Sequence, residues 1–300
     1  MRKILITDEI EPCGIVEHLE GKFEITKFYG HSHSDICYIL PEYDALIVRT
    51  ETQVDSRMLD HGTNLKVVGR AGVGLDNIDV KYAESRRITV FNTPEANTIS
   101  AAEHTIGMML ALCRHIPQAT GGTRQGRWER QRFMGIELYG KTLGVIGTGK
   151  IGCYVAKLAQ AFGMTIIGYD PFKTANFVGN YKTFNALLRF SDIITLHIPL
   201  TEKTKNTLGE EQFLLMKKGV RIINCARGGL INQDALLFYY DEEVVAGYAT
   251  DVFEEEPVDD KAHPFYSRRF IICTPHIGAM TYEAQERVSR EICRKLSTFF

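Results

Sequence analysis

The sequence predicts an α/β protein made of two doubly wound parallel-sheet domains with a cleft between them. Three observations carry this expectation. The chain has 300 residues, enough for two domains of roughly 100 to 200 residues each. Short Val- and Ile-rich runs recur in two series, each run followed by a helix-like stretch, which is the alternation that yields parallel strands with helical crossovers. Finally, most runs are followed at once by a polar residue or a glycine, as expected where ligands bind beyond the carboxyl ends of such strands.

The first series reads as strands at Ile4 to Thr7, Ala45 to Val48, Val67 to Gly69 and Ile88 to Phe91. The second reads as Leu143 to Ile146, Ile166 to Tyr169, Ile193 to Leu196, Arg221 to Asn224, Val245 to Ala249 and Phe270 to Cys273. A long helix joins them. Ser100-Ala101-Ala102-Glu103 has the spacing of a capping box, so Glu103 reads as a cap, and Ile106, Met109, Leu110 and Cys113 follow at helical spacing until Pro117. A closing helix over Thr281 to Phe300 would bury Ala284, Val288, Ile292, Leu296 and Phe299 on one face.

Composition excludes several classes. With 44% hydrophobic and 24% charged residues and a net charge of -2, nothing biases the chain toward nucleic acid or anionic membrane. A small-molecule partner is expected instead. Seven scattered cysteines, never spaced C-x-x-C, suggest neither disulfides nor zinc, and the apolar runs are far shorter than the roughly 18 residues that span a bilayer. The apolar stretch after Met1 reads as a buried first strand, too short for a signal peptide, so a cytoplasmic location is expected. His31 and His33 lie near Asp35 but lack a clear third ligand, and no metal site is expected.

The most specific motif is Gly147-Thr148-Gly149-Lys150-Ile151-Gly152, which follows a strand and opens a helical pattern. Glycines at these spacings permit a tight turn, backbone approach to a pyrophosphate and close helix packing, with the phosphates at the helix N-terminus. Asp170 ends the next strand, where a carboxylate accepts hydrogen bonds from an adenosine ribose and repels a 2′-phosphate, so NAD is the expected cofactor. Asp170 as a turn cap before Pro171 is the alternative.

Oxidising a secondary alcohol requires a hydride acceptor, a base and a cation that holds the substrate. His276 is the best base among nine histidines, with His197 its rival as a lining residue and His263 a loop residue. Any of Glu254, Glu255 and Glu256 would serve as the carboxylate partner, and Arg227, between Asn224 and the Gly228-Gly229 pair, as the cation.

Together, Gly147-x-Gly149-x-x-Gly152, Asn224-x-Ala226-Arg227-Gly228-Gly229, Asp251-Val252-Phe253-Glu254-Glu255-Glu256-Pro257 and Thr274-Pro275-His276-Ile277-Gly278 resemble the D-2-hydroxyacid dehydrogenase family. The resemblance implies that Arg227 binds substrate, that Glu256 is the glutamate paired with the acid/base His276, and that His197, Pro199, Thr204, Cys225, Ala226, Asp251 and Gly278 lie along the cofactor. It also implies a Rossmann-type NAD domain over 98–275 and a flavodoxin-like substrate domain of 1–97 plus 276–300. Val48-Arg49-Thr50, the Val68 to Asn77 segment and the Trp128 to Leu138 segment resemble members acting on a phosphorylated hydroxy acid. Arg49, Arg70, Arg130 and Arg132 would then meet a substrate dianion, with Gly72, Val73, Gly74 and Asn97 as further substrate contacts.

The implied reaction is NAD-dependent oxidation of D-3-phosphoglycerate to 3-phosphohydroxypyruvate by a homodimer. Another 2-hydroxy acid such as glycerate, glyoxylate or lactate is the alternative, as is an NADH-sensing, corepressor-like binding protein. Many members carry a C-terminal regulatory extension, whereas this sequence ends at Phe300, which reads as a short form or as a piece of a longer chain.

Overall fold

A computed structural model describes residues 1–300. They form two compact units, Met1–Thr98 with Ala279–Phe300, and Ile99–Gly278.

The first unit alternates β1 (Lys3–Ile6), α1 (Pro12–His18), β2 (Glu24–Lys27), α2 (His33–Ile39), β3 (Ala45–Val48), α3 (Ser56–His61), β4 (Val67–Arg70), α4 (Val80–Ser85) and β5 (Thr89–Phe91). All five strands are parallel, in the order β2-β1-β3-β4-β5, the flavodoxin-like arrangement. Successive side chains of a strand face opposite ways, so Leu5, Leu46 and Val68 meet Leu40, Met58 and Leu59 on one face. Ile4, Ile6, Ile47 and Val67 fill the other face, against Ile15 and Leu19.

The second unit contains α5 (Thr98–Cys113), α6 (Ile116–Arg124), β6 (Thr142–Ile146), α7 (Lys150–Ala161), β7 (Thr165–Tyr169), β8 (Asn180–Tyr181), α8 (Phe184–Phe190), β9 (Ile193–Leu196), α9 (Glu210–Phe213), β10 (Val220–Asn224), α10 (Gln233–Asp241), β11 (Val245–Thr250) and β12 (Ile271–Cys273). Its parallel sheet runs β12-β11-β10-β9-β6-β7-β8. The winding reverses between β6 and β9, and that switch point opens a crevice beyond the strand ends. The final helix, α11 (Tyr282–Phe299), returns to the first unit and lays Ala284, Val288, Ile292 and Leu296 into its core. Each buried Val, Ile or Leu among them contributes roughly 1.5–3 kcal/mol.

All ten expected strands are present, each end within one residue of its expected place. Two strands, β2 and β8, were not expected. Both sit at sheet edges, where one side stays exposed and the continuous apolar run that marks an interior strand is lost.

Three helical details need correcting. Ser100 and Glu103 form no capping box, because α5 begins at Thr98 and Ser100 is buried inside it. The i, i+3 spacing of that motif also arises within a helix, and a small hydroxyl fits a buried position there. Pro117 stands near the start of α6 rather than merely ending α5, at a position where its missing N–H costs nothing. Phe299 is 39% exposed rather than buried, its ring packed edge-on to Phe91 and Phe300. All seven cysteines are free thiols, and no helix is long and apolar enough to cross a membrane.

Candidate active site

β6 delivers the chain into the glycine turn at the switch point. Gly147 has φ +93, a left-handed backbone that glycine adopts at low cost, and its N–H donates to the Tyr169 carbonyl at 2.9 Å. A Cβ on Gly152 would lie 2.0 Å from the Gly147 carbonyl oxygen, so only glycine lets α7 sit against the turn. Gly149 is the N-cap of α7, with no side chain capping the helix and no atom within 4 Å of where its Cβ would be. The positive dipole end of this helix thus stands at a glycine turn with open space beside Gly149, a cradle that fits the pyrophosphate of a dinucleotide.

Asp170 ends β7 beside this turn. It accepts the Thr148 N–H at 2.7 Å and the Phe172 N–H at 2.8 Å, so it caps the following turn and is also tied to the glycine loop. The Tyr181 hydroxyl reaches the Thr148 hydroxyl at 2.9 Å and accepts the Thr174 N–H at 2.9 Å, pinning the segment after Asp170. Sequence reasoning missed Tyr181 because it lies on the unexpected edge strand β8. Replacing Asp170 with alanine is expected to weaken NAD binding about tenfold, ~1.4 kcal/mol, and to narrow the preference for NAD over NADP. Titrations of cofactor fluorescence with both cofactors measure this, and an unchanged ratio would remove Asp170 from the ribose site.

Across the switch point, the His197 N–H donates to the Ile146 carbonyl at 2.7 Å, and its ring Nε2 lies 3.0 Å from the Thr195 hydroxyl. Desolvation pushes this imidazole down to about 3, so it is neutral at physiological pH and suits a lining role. The Thr204 hydroxyl donates to the Pro199 carbonyl at 2.6 Å and closes the turn that follows. Burial pushes the Cys225 thiol up to about 12, which leaves it protonated.

The turn after β10 carries Arg227. Asn224 is fully buried and bridges this turn, donating from Nδ2 to the Arg227 carbonyl (2.9 Å) and accepting the Ala226 N–H at Oδ1 (3.1 Å). A Cβ on Gly228 would lie 2.0 Å from the Phe253 carbonyl carbon, so glycine here lets the 253–256 loop lie directly on the Arg227 turn. In that loop the Phe253 N–H donates to Glu256 Oε1 at 2.8 Å, and Glu256 Oε2 lies 2.6 Å from His276 Nδ1. Neither Glu254 nor Glu255 makes this contact. Burial pushes the Glu256 carboxyl up, but the His276 and Phe253 hydrogen bonds and the Arg227 charge together hold it below its usual range. An ionised carboxylate only accepts, so Nδ1 carries the proton, and in the neutral ring it is Nε2 that holds the lone pair.

His276 stands at φ +53, a conformation that a side chain other than glycine adopts only when its surroundings enforce it. The enforcing group is Asp251, 1% exposed. Its Oδ1 accepts the Thr274 hydroxyl (2.6 Å) and the Ile277 N–H (2.9 Å), and its Oδ2 accepts the Gly278 N–H (2.8 Å). His104 Nε2, from α5, is 3.2 Å from Asp251 Oδ1 and supports the ionised carboxylate despite its burial. Nothing local in the sequence marks His104, whose partner Thr274 is 170 residues away.

In the first unit, Arg49 and Arg70 come together at adjacent strand ends, with the Arg70 Nε donating to the Arg49 carbonyl at 3.1 Å. The Arg70 guanidinium lies over Gly72, and Asn92 holds the Gly72-Val73-Gly74 turn by donating to the Val73 carbonyl at 2.6 Å. Asn97 is half-buried just before α5. Arg130 and Arg132 lie in the other unit, on a short exposed turn where Arg132 pairs with Glu129 at 2.9 Å. Three of the other histidines have partners of their own. His33 pairs with Asp55 at 3.1 Å, His31 stacks on Phe28, and His263 packs among Phe253, Phe265 and Tyr266.

A doubly wound parallel sheet with a glycine turn, a helix N-terminus and a paired histidine and glutamate at its strand ends defines a nucleotide-dependent oxidoreductase architecture. Residues 106–278, more than half of the chain, match the family model "D-isomer specific 2-hydroxyacid dehydrogenase, NAD binding domain". The chain belongs to the D-isomer specific 2-hydroxyacid dehydrogenases, and this segment is the NAD-binding domain of that family. It is 46% identical over 301 residues to D-3-phosphoglycerate dehydrogenase of Methanocaldococcus jannaschii, covering 99% of this chain and 57% of that protein. To the Bacillus subtilis D-3-phosphoglycerate dehydrogenase it is 45% identical over 306 residues, covering 100% and 57%. The chain therefore spans little more than half the length of these relatives. Among solved structures it resembles D-lactate dehydrogenase from Aquifex aeolicus in complex with NAD and lactic acid, with a TM-score of 0.88, 29% identity, and coverage of 99% of this chain and 95% of that one.

Proposed function

We propose that the protein oxidises D-3-phosphoglycerate to 3-phosphohydroxypyruvate with NAD. The observation that carries the chemistry is the 2.6 Å pairing of Glu256 with His276, laid on the Arg227 turn. The relatives named above support the choice of substrate, as does the placement of Arg49 and Arg70 at adjacent strand ends, joined by the Arg70 Nε bond to the Arg49 carbonyl.

Bound NAD supplies the two-electron acceptor for the hydride on the substrate's C2. Arg227 holds the substrate carboxylate and the oxygen that becomes a carbonyl, its planar fork matching two oxygens at once. His276 Nε2 takes the hydroxyl proton, and Glu256 stabilises the resulting imidazolium and keeps the ring in the required tautomer. Asp251 sets the turn that presents His276, and it borders the cofactor together with His197, Pro199, Thr204, Cys225, Ala226 and Gly278. Arg49 and Arg70, with Arg130 and Arg132, neutralise the phosphate, and the Gly72-Val73-Gly74 turn and Asn97 complete the substrate site. In this reading residues 1–97 plus 276–300 serve the substrate and residues 98–275 the cofactor.

The enzyme acts in the cytoplasm as a homodimer. Trp128, Met134 and Tyr139, each at least 75% exposed on one segment, provide apolar surface for a second copy.

An NADH absorbance assay over phosphorylated and unphosphorylated 2-hydroxy acids tests the proposal. Turnover of 3-phosphoglycerate well above that of glycerate and lactate is expected. A preference for the unphosphorylated acids would reassign the substrate, and NADH binding without turnover of any of them would favour a cofactor-sensing role.

A further inference from the structure

A cation selects a phosphate only as well as its backbone is placed, and the backbone of Arg49 is held from both sides. On one side stands Asp8, at the end of β1 and only 3% exposed. Its Oδ2 accepts the N–H groups of Arg49 (2.6 Å), Glu51 (3.2 Å) and Thr52 (3.2 Å). Its Oδ1 is bonded by the Thr52 hydroxyl, which also meets the Thr7 hydroxyl at 2.9 Å. On the other side, the Arg49 carbonyl accepts Arg70 Nε and Asn77 Nδ2, each at 3.1 Å, and Asn77 also donates to the Thr52 carbonyl at 2.8 Å. All of these residues lie in the first unit.

We infer that Asp8 is the positioning residue that fixes Arg49, and through the shared carbonyl Arg70, for recognition of the substrate's phosphate. The inference rests on the phosphate reading given above. Three amides converging on one oxygen make an anion-binding nest, and here the protein fills that nest with its own carboxylate. The loop amides are thus spent on Asp8, so recognition of an external dianion falls to the two guanidiniums, of which that of Arg49 also touches the Met280 sulfur at 2.9 Å. Desolvating a carboxylate is costly unless hydrogen bonds replace its water, and the four donors around Asp8 do so. With so little exposure, Asp8 reaches no substrate itself and acts only through the loop. It has a local sequence neighbour in Thr7, but its partners at 49 to 52 lie more than 40 residues on, so the strand-end aspartate gives no hint of this role by itself.

The test is a double-mutant cycle in the full chain with Asp8→Ala, Arg49→Ala and the pair, reading KM for 3-phosphoglycerate, kcat, NAD affinity and Tm. Asp8→Ala is expected to raise KM about tenfold with kcat and NAD affinity within about twofold, and to add little in the Arg49→Ala background. Asp8→Asn keeps the shape and one acceptor, so an intermediate KM is expected. That variant carries the same cycle if the alanine variant does not fold. An equal KM rise with and without Arg49, an unchanged KM, or a parallel loss of NAD affinity would overturn the positioning role. Should Arg49→Ala alone leave KM for 3-phosphoglycerate unchanged, the phosphate reading itself fails, a result distinct from additivity.

Discussion

Replacing His276 with alanine is expected to lower kcat for 2-hydroxy acid oxidation by about 10²- to 10⁴-fold while NAD binds as before. The proton on the substrate hydroxyl must leave as the hydride does, and in the proposed reaction His276 is the group that takes it. Its Nδ1 is committed to Glu256 at 2.6 Å, which leaves Nε2 as the acceptor. Alanine removes that acceptor but spares the Gly147 to Gly152 turn and Asp170. It also keeps the backbone N–H groups of Ile277 and Gly278 that Asp251 holds. Rapid-mixing measurement of NADH formation, with cofactor affinity taken from fluorescence titration, separates the chemical step from binding. Turnover within about threefold of the parent would assign the base elsewhere, and a comparable loss of NAD affinity would show that the variant is damaged more widely.

The second large effect is expected at Arg227. Arg227→Gln should lower kcat/KM by about 10²- to 10³-fold, because in the proposed reaction the guanidinium is the donor that meets the developing negative charge. Arg227→Lys should recover little, since an ammonium cannot hold two oxygens in one plane. A second readout follows from the site's electrostatics. Arg227 is one of the charges that hold the Glu256 carboxyl below its usual range, so removing it moves the Glu256 pKa upward. Glu256 then protonates at higher pH, and the acid limb of the rate profile should shift toward neutrality in Arg227→Gln. An acid limb that stays in place together with an unchanged kcat/KM would remove Arg227 from the site.

Much of this architecture was legible in the residues because the signals are local. Interior parallel strands are buried on both faces and must be continuous apolar runs, as Ala45–Val48 and Ile193–Leu196 are. The glycine turn was legible for the same reason, since the tight turn at Gly147 and the close approach at Gly152 demand glycine whatever surrounds them. Edge strands gave no such signal. The capping-box reading at Ser100 failed because one four-residue spacing serves both a helix start and a helix interior.

The choice among three consecutive glutamates shows where local reading stops. Composition and spacing left Glu254, Glu255 and Glu256 equal, and family resemblance alone favoured the last. In the folded chain Glu256 is bonded to His276 because Gly228 lets its loop lie on the Arg227 turn. Asp251, His104 and Asp8 belong to the same class, as polar residues whose meaning comes from partners tens to hundreds of residues away.

By itself, then, the sequence determined the alternation of strand and helix, the phosphate-cradling turn and the chemical types available at the strand ends. Periodicity and backbone strain act over a few residues and leave their mark in composition. Tertiary structure alone decided which carboxylate pairs with which imidazole, and which aspartates are buried to hold the strand-end turns in place. Those choices depend on hydrogen bonds and close approaches that form only once distant strand ends are brought side by side.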